Sequence, residues 1–119
     1  MSALEKKSCS VCNKQTAPLT VEKARQLAIN IPGWMIEDEG RILIKSYKFQ
    51  NYIEALEFVS MVSVLAEKEN HHPDITFGWG YATILFTTHK AKGLTENDFI
   101  MAAKVNALVE GRLDVSANN

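Results

Sequence analysis

The sequence predicts a two-layer α+β domain: a four-stranded antiparallel sheet with helices packed on one face, in the chain order α-β-β-α-β-β-α. Three observations lead there. Three segments with helical apolar spacing each follow a residue suited to cap a helix, Thr20, Asn51 and Thr95. Two pairs of strand-like runs flank short turns at Glu37–Gly40 and at Gly80, which implies hairpins and hence antiparallel pairing. The chain has 119 residues, 46% hydrophobic and 23% charged, which suits one globular domain with its own core.

The elements follow in order. Residues 1–18 read as a flexible N-terminal tail, polar and ending at Ala17-Pro18, and residues 19–119 as a single domain. After Thr20, the residues Val21, Ala24, Leu27 and Ala28 share one helical face, and Pro32-Gly33 ends that helix. Trp34-Met35-Ile36 opens the first strand. Arg41 to Phe49 returns with Ile42, Ile44, Ser46 and Lys48 on one face and Leu43, Lys45, Tyr47 and Phe49 on the other. Neither face is purely apolar, so both are expected to be partly covered. Asn51 caps a long helix running to about Glu69. Its stripe of Tyr52, Ala55, Leu56, Val59, Val62 and Ala66 is widened by Phe58, Met61 and Leu65. Such a wide apolar face predicts contact with the sheet and with a second copy of the chain.

Asn70-His71-His72-Pro73 breaks the helix, and the proline confines His72 to extended backbone. Asp74 to Trp79 reads as a strand, Gly80 as the turn and Tyr81 to Thr88 as the return. Ile84-Leu85-Phe86 is apolar on both faces, as in an interior strand. Thr95-Glu96-Asn97-Asp98 fits a capping box with an aspartate at its third helical position. The last helix carries Phe99, Ile100, Ala103 and Leu108 and ends near Gly111.

Composition excludes several functions. A net charge of -1 provides no basic field for nucleic acid. No apolar run approaches the roughly 20 residues that span a bilayer, and the polar N-terminus lacks a secretory core, so a cytoplasmic protein is expected. The two cysteines, Cys9 and Cys12, have the spacing of half a zinc site or of a redox pair. No second such pair completes the zinc site, and no strand precedes Cys9 as in a redox motif.

The three histidines carry the chemistry. His71, His72 and His89 fall within nineteen residues, at the two ends of one expected hairpin. A hairpin centred near Gly80 sets position 71 roughly opposite position 89, and cross-strand neighbours lie about 5 Å apart. Adjacent residues of extended chain point to opposite sides, so His71 and His72 diverge. That resists a three-imidazole metal cage, and no metal is expected. Imidazole, with an unperturbed pKa of about 6.5, suits proton transfer near neutral pH. Asp98 is placed either to cap its helix or to orient a histidine. Glu67 lies a turn before His71, within reach of an imidazole, and Trp34 and Trp79 suit core or rim positions.

Taken together, Glu67-x-x-x-His71-His72-Pro73, Trp79, Thr88-His89 and Gly93-Leu94-Thr95-x-x-Asp98 resemble the pterin-4a-carbinolamine dehydratase family. Leu19-Thr20, Pro32-Gly33-Trp34 and Tyr47-Lys48-Phe49 add to the resemblance, which runs from about Leu19 to near the C-terminus. It implies removal of water from 4a-hydroxytetrahydropterins to give quinonoid dihydropterin, in tetrahydrobiopterin recycling beside aromatic amino-acid hydroxylases. No cofactor is implied, because the pterin is the substrate. His71, His72 and His89 match the family's active-site histidines, with acid–base work expected first of His71 and His89. Asp98 and Glu67 are expected to orient the histidines, and Pro73, Trp79 and Thr88 to bind substrate. A homodimer or homotetramer is implied, and so are two other roles of such proteins: a dimerisation cofactor for a transcription factor, and molybdopterin metabolism.

Overall fold

The computed structural model describes residues 4–11, 13 and 15–113. Cys12, and with it the cysteine pairing, lies outside them. The elements are α1 (Val21–Ala28), β1 (Met35–Glu37), β2 (Ile42–Lys48), α2 (Tyr52–Glu69), β3 (Asp74–Gly78), β4 (Tyr81–Phe86) and α3 (Glu96–Val109). Short 3-10 turns occur at Leu4–Lys6 and His89–Ala91. The expected α-β-β-α-β-β-α order and the antiparallel four-stranded sheet are both present.

The helix starts follow the caps. Thr20 Oγ1 accepts from Lys23 N at 3.1 Å, and Asn51 Oδ1 accepts from Glu54 N at 2.9 Å. Each bond satisfies an amide that has no partner inside its helix, worth about 1 kcal/mol. Asn70 ends α2 in the left-handed region at φ 54°, and both its N–H and that of His71 return to Ala66 O.

The sheet order is β1-β2-β4-β3. β2 and β3 both run antiparallel to β4, so they are parallel to each other with β4 inserted between them. Ile36, Leu43, Tyr47, Ala82, Ile84, Phe86, Ile75 and Phe77 fall on one face by register, and the helices cover that face. Both faces of β2 are partly covered, as expected, but unequally: on the reverse face Ile42 and Ile44 are half-buried. Leu43 is fully buried, whereas Ser46 and Lys48 on the reverse side are exposed. Phe86 and Phe99 are the largest side chains with essentially no exposure, and they mark the centre of the core.

Two further differences matter. On α2 the buried seam is Ala55, Phe58, Val62, Leu65 and Ala66, while Tyr52, Leu56 and Met61 of the expected stripe are exposed. A helix lying on a flat sheet buries only one narrow line, and this sequence has more apolar positions than that line holds. The second difference is at the N-terminus. Residues 4–10 are not a free tail: Leu4 is buried in the core, Lys104 Nζ donates to Glu5 O at 2.9 Å, and Arg112 pairs with Glu5. This strap runs along α3, and Asn97 to Leu108 are all buried. A helix buried nearly all round, polar Asn97, Asp98, Lys104 and Asn106 included, needs cover on both sides, which the sheet and the strap together supply.

Candidate functional site

The turn after α2 and the turn after β4 meet at the open end of the β3–β4 hairpin. The left-handed Asn70 redirects the chain so that His71 enters the protein, with only 12% of its side chain exposed. Its ring lies nearly parallel to Phe86, 18° between planes with centroids 6.3 Å apart. His71 Nε2 is 2.7 Å from Asp98 Oδ1.

Asp98 has no exposed surface, yet its carboxylate is fully partnered. Oδ2 accepts from Thr88 Oγ1 at 2.7 Å and from Thr95 N at 2.9 Å. Thr88 Oγ1 also lies 2.9 Å from Thr95 Oγ1. Every donor points at the carboxylate, so it acts as the acceptor for His71 Nε2–H. That fixes one tautomer and leaves Nδ1 as the basic ring nitrogen. The two roles the sequence left open for Asp98 are filled at once: one oxygen caps α3 and the other orients the histidine.

His72 takes a different partner. Its Nε2 is 2.7 Å from Glu67 Oε1, an exposed pair that contributes little to stability. Glu67 therefore reaches the second histidine of the pair and not the first. His89 begins the 3-10 turn after Thr88 and is exposed. That turn closes on itself, with Thr88 N donating to Gly93 O at 3.0 Å. Gly93 has no room for a side chain, since a Cβ there would stand 2.9 Å from Pro18 Cβ.

His71, His72, Thr88 and His89 share one cleft of about 360 Å³. Cys9, Ser10, Val11, Glu69, Thr87 and Lys90 are among its other lining residues. The hairpin register differs by one residue from the expected centre. Trp79-Gly80 form a two-residue turn with Gly80 at φ 80°, and Asp74 pairs with Leu85. Continued outward, this register points Thr88, not His89, at position 71. His89 reaches the cleft because the chain leaves the ladder after Phe86.

Two residues expected to bind substrate do not line the cleft. Trp79, 72% exposed, sits at the closed end of the hairpin, about 17 Å along the strand from the cleft end. Pro73 lies outside the lining and serves to hold His72 extended. Thr88 does line the cleft, but its hydroxyl is committed to Asp98. Among the described residues, no three His, Cys, Asp or Glu side chains gather to hold a metal ion. Nor is any helix there long and apolar enough to cross a membrane.

Sequence reading missed Cys9–Val11, Glu69 and Asn97 as site residues. No local signal joins them, because each contact spans 60 positions or more.

Comparison with known proteins bears on the family and the fold. Residues 17–108 match the family model described as pterin 4 alpha carbinolamine dehydratase. A protein of Rubrobacter xylanophilus, provisionally named as such a dehydratase, is 51% identical over 91% of this chain and 100% of its own length. A solved structure described as a transcriptional coactivator/pterin dehydratase from Brucella melitensis superposes with a TM-score of 0.71 at 30% identity, covering 76% of this chain and 97% of that one. A second, a pterin dehydratase-like protein described as a RuBisCO assembly factor in the alpha-carboxysome, gives 0.55 at 27% identity over 64% and 91%. With the family model spanning the whole sheet and all three histidines, the chain belongs to the pterin 4 alpha carbinolamine dehydratase family.

Proposed function

We propose that the protein is an active hydro-lyase that removes water from 4a-hydroxytetrahydropterin in the cytoplasm, recycling a tetrahydrobiopterin-type cofactor for an aromatic amino-acid hydroxylase. The observation that carries this reading is the buried Asp98 carboxylate aimed at His71 on the floor of a cleft shared by His72 and His89. A purely structural helix cap has no need of a histidine on its second oxygen.

The chemistry requires two proton movements and no change of oxidation state. The C4a–O bond breaks as its hydroxyl accepts a proton and departs as water. The adjacent ring nitrogen gives up its proton as the C=N bond forms. His71 takes the nitrogen proton on Nδ1, and the Asp98 carboxylate stabilises the imidazolium that results. His89 supplies the proton to the leaving hydroxyl. His72, tethered to Glu67, holds the pterin. No cofactor or metal takes part.

A non-catalytic assembly role is the second reading, favoured by the likeness to the assembly factor. The exposed α2 residues Ile53, Leu56, Met61 and Val64 suit a homodimer or homotetramer under either reading. The deciding experiment generates 4a-hydroxytetrahydropterin freshly and follows its absorbance with and without protein. Acceleration over the spontaneous reaction is expected, and its absence at stoichiometric protein overturns the enzyme reading.

A further inference from the structure

The cleft has a wall that plays no part in this mechanism. Cys9, Ser10 and Val11 line it together with the three histidines. The backbone there is pinned from two different helices. Asn97 of α3 donates Nδ2 to Ser10 O at 2.7 Å and accepts Ser10 N–H on Oδ1 at 2.9 Å. Its amide thus reproduces one rung of a strand pair. Glu69, the last residue of α2, accepts Cys9 N–H on Oε1 at 2.9 Å.

Covering the core does not explain these bonds. Leu4 fills the apolar gap beside α3, and Lys7 already ties the strap to Glu96 at 2.8 Å. Ordering each further residue costs roughly 1–2 kcal/mol of backbone entropy. Four side-chain bonds offset that cost for Cys9 and Ser10, the fourth from Cys9 Sγ to Asn97 O at 3.8 Å. Cys9 packs partly buried against the core, whereas Ser10 and Val11 gain little apolar cover and remain exposed. The segment is held at the cleft rather than buried under it. A flat pterin needs two walls to lose most of its surface to protein. Its pyrimidinone edge carries both hydrogen-bond donors and acceptors, the complement of extended backbone.

We propose that Cys9–Val11 form a substrate-binding wall of the cleft, with Asn97 and Glu69 as the positioning residues that hold it; the proposal rests on the dehydratase reading above. The N-terminal segment is then part of the binding site, and the cysteine motif begins at the substrate.

The test uses Cys9 as its own reporter. In the full chain carrying Cys12→Ser, Cys9 is the sole thiol. The probe is 7,8-dihydropterin, which has no 4a-hydroxyl to lose. Its binding is measured by fluorescence, and Cys9 alkylation by iodoacetamide is timed with and without it. Saturating dihydropterin is expected to slow alkylation about tenfold, and Asn97→Ala and Glu69→Ala are each expected to raise KM about tenfold with kcat within about twofold. A strap with a merely structural role does not produce that split. Dihydropterin that binds and leaves Cys9 reactivity unchanged overturns the wall and leaves the dehydratase reading standing. Failure of dihydropterin to bind a protein that still accelerates the dehydration overturns the wall alone, and absence of that acceleration overturns the dehydratase reading. Should the two substitutions prevent folding, the alkylation result on the Cys12→Ser protein decides alone.

Discussion

His71 Nε2 and Asp98 Oδ1 stand 2.7 Å apart, and the same carboxylate caps the helix that carries it. Orientation of the histidine and the start of α3 are therefore one structural event. Asp98→Asn keeps the shape of the group but places a donor where His71 needs an acceptor. The expected result is a roughly 10–100-fold loss in kcat. Steady-state dehydration of 4a-hydroxytetrahydropterin measures it, and wild-type turnover would show that Asp98 serves only the helix.

The histidines should separate by kinetic class. His71→Ala and His89→Ala are each expected to lower kcat by about 10²–10⁴-fold, the usual contribution of a positioned acid or base. His72→Ala is expected to act mainly on KM, since its side chain is half exposed and tied to Glu67. Near-normal kcat in both of the first two variants contradicts the assigned roles.

Thr88 offers a test of the support behind the site. Thr88→Val removes the hydroxyl that donates to Asp98 Oδ2 while keeping the volume. A buried carboxylate short of one donor costs about 1–3 kcal/mol. Urea unfolding should register that loss, together with a decline in kcat smaller than that of Asp98→Asn.

Tyr47 predicts behaviour in alkali. Among the described residues its hydroxyl is a buried polar atom with no hydrogen-bond partner, and burial pushes its pKa well above the ordinary 10.0. The folded state thus holds this proton more tightly than the unfolded chain does. Stability is complete below pH 10 and falls as the pH rises beyond it. Tyr47→Phe removes the unpartnered oxygen and should be neutral or stabilising by up to about 1 kcal/mol at pH 7. It should also flatten the loss of stability above pH 10. A large destabilisation at pH 7 would reveal a hydroxyl partner.

The strap predicts behaviour in acid. Hydrogen bonding to Arg112, ahead of the charge attraction, holds the Glu5 carboxyl below its ordinary 4.5. A depressed carboxyl stabilises the docked state above the unfolded value, and that stabilisation disappears as pH falls through the folded one. Protection of amides 4–10 against hydrogen exchange, taken relative to the intrinsic rate at each pH, should be high at neutral pH and should fall below about pH 4.5. In Glu5→Gln this acid transition should weaken.

The elements and their order were legible in the sequence because their causes are local. Thr20, Asn51 and Thr95 cap within three residues, Asn70 turns the helix end, and Gly80 marks the hairpin turn, though Trp79 belongs to that turn and not to the strand. The choice of core face on β2 was not, since Lys45 stands among its inward residues, with Nζ bonded to Asn106. The same limit divides the site. The three histidines and Asp98 could be named from spacing and from the resemblance to a dehydratase family. Which histidine Asp98 serves, which one Glu67 reaches, and the distance of Trp79 from the cleft were decided only by the tertiary structure. So was the change of residues 4–10 from tail to strap. Caps and turns are settled by neighbours along the chain, whereas His71–Asp98 and Ser10–Asn97 join positions 27 and 87 apart. Contacts of that span depend on the place of β4 between β2 and β3 and on the packing of α3, which no neighbour along the chain sets.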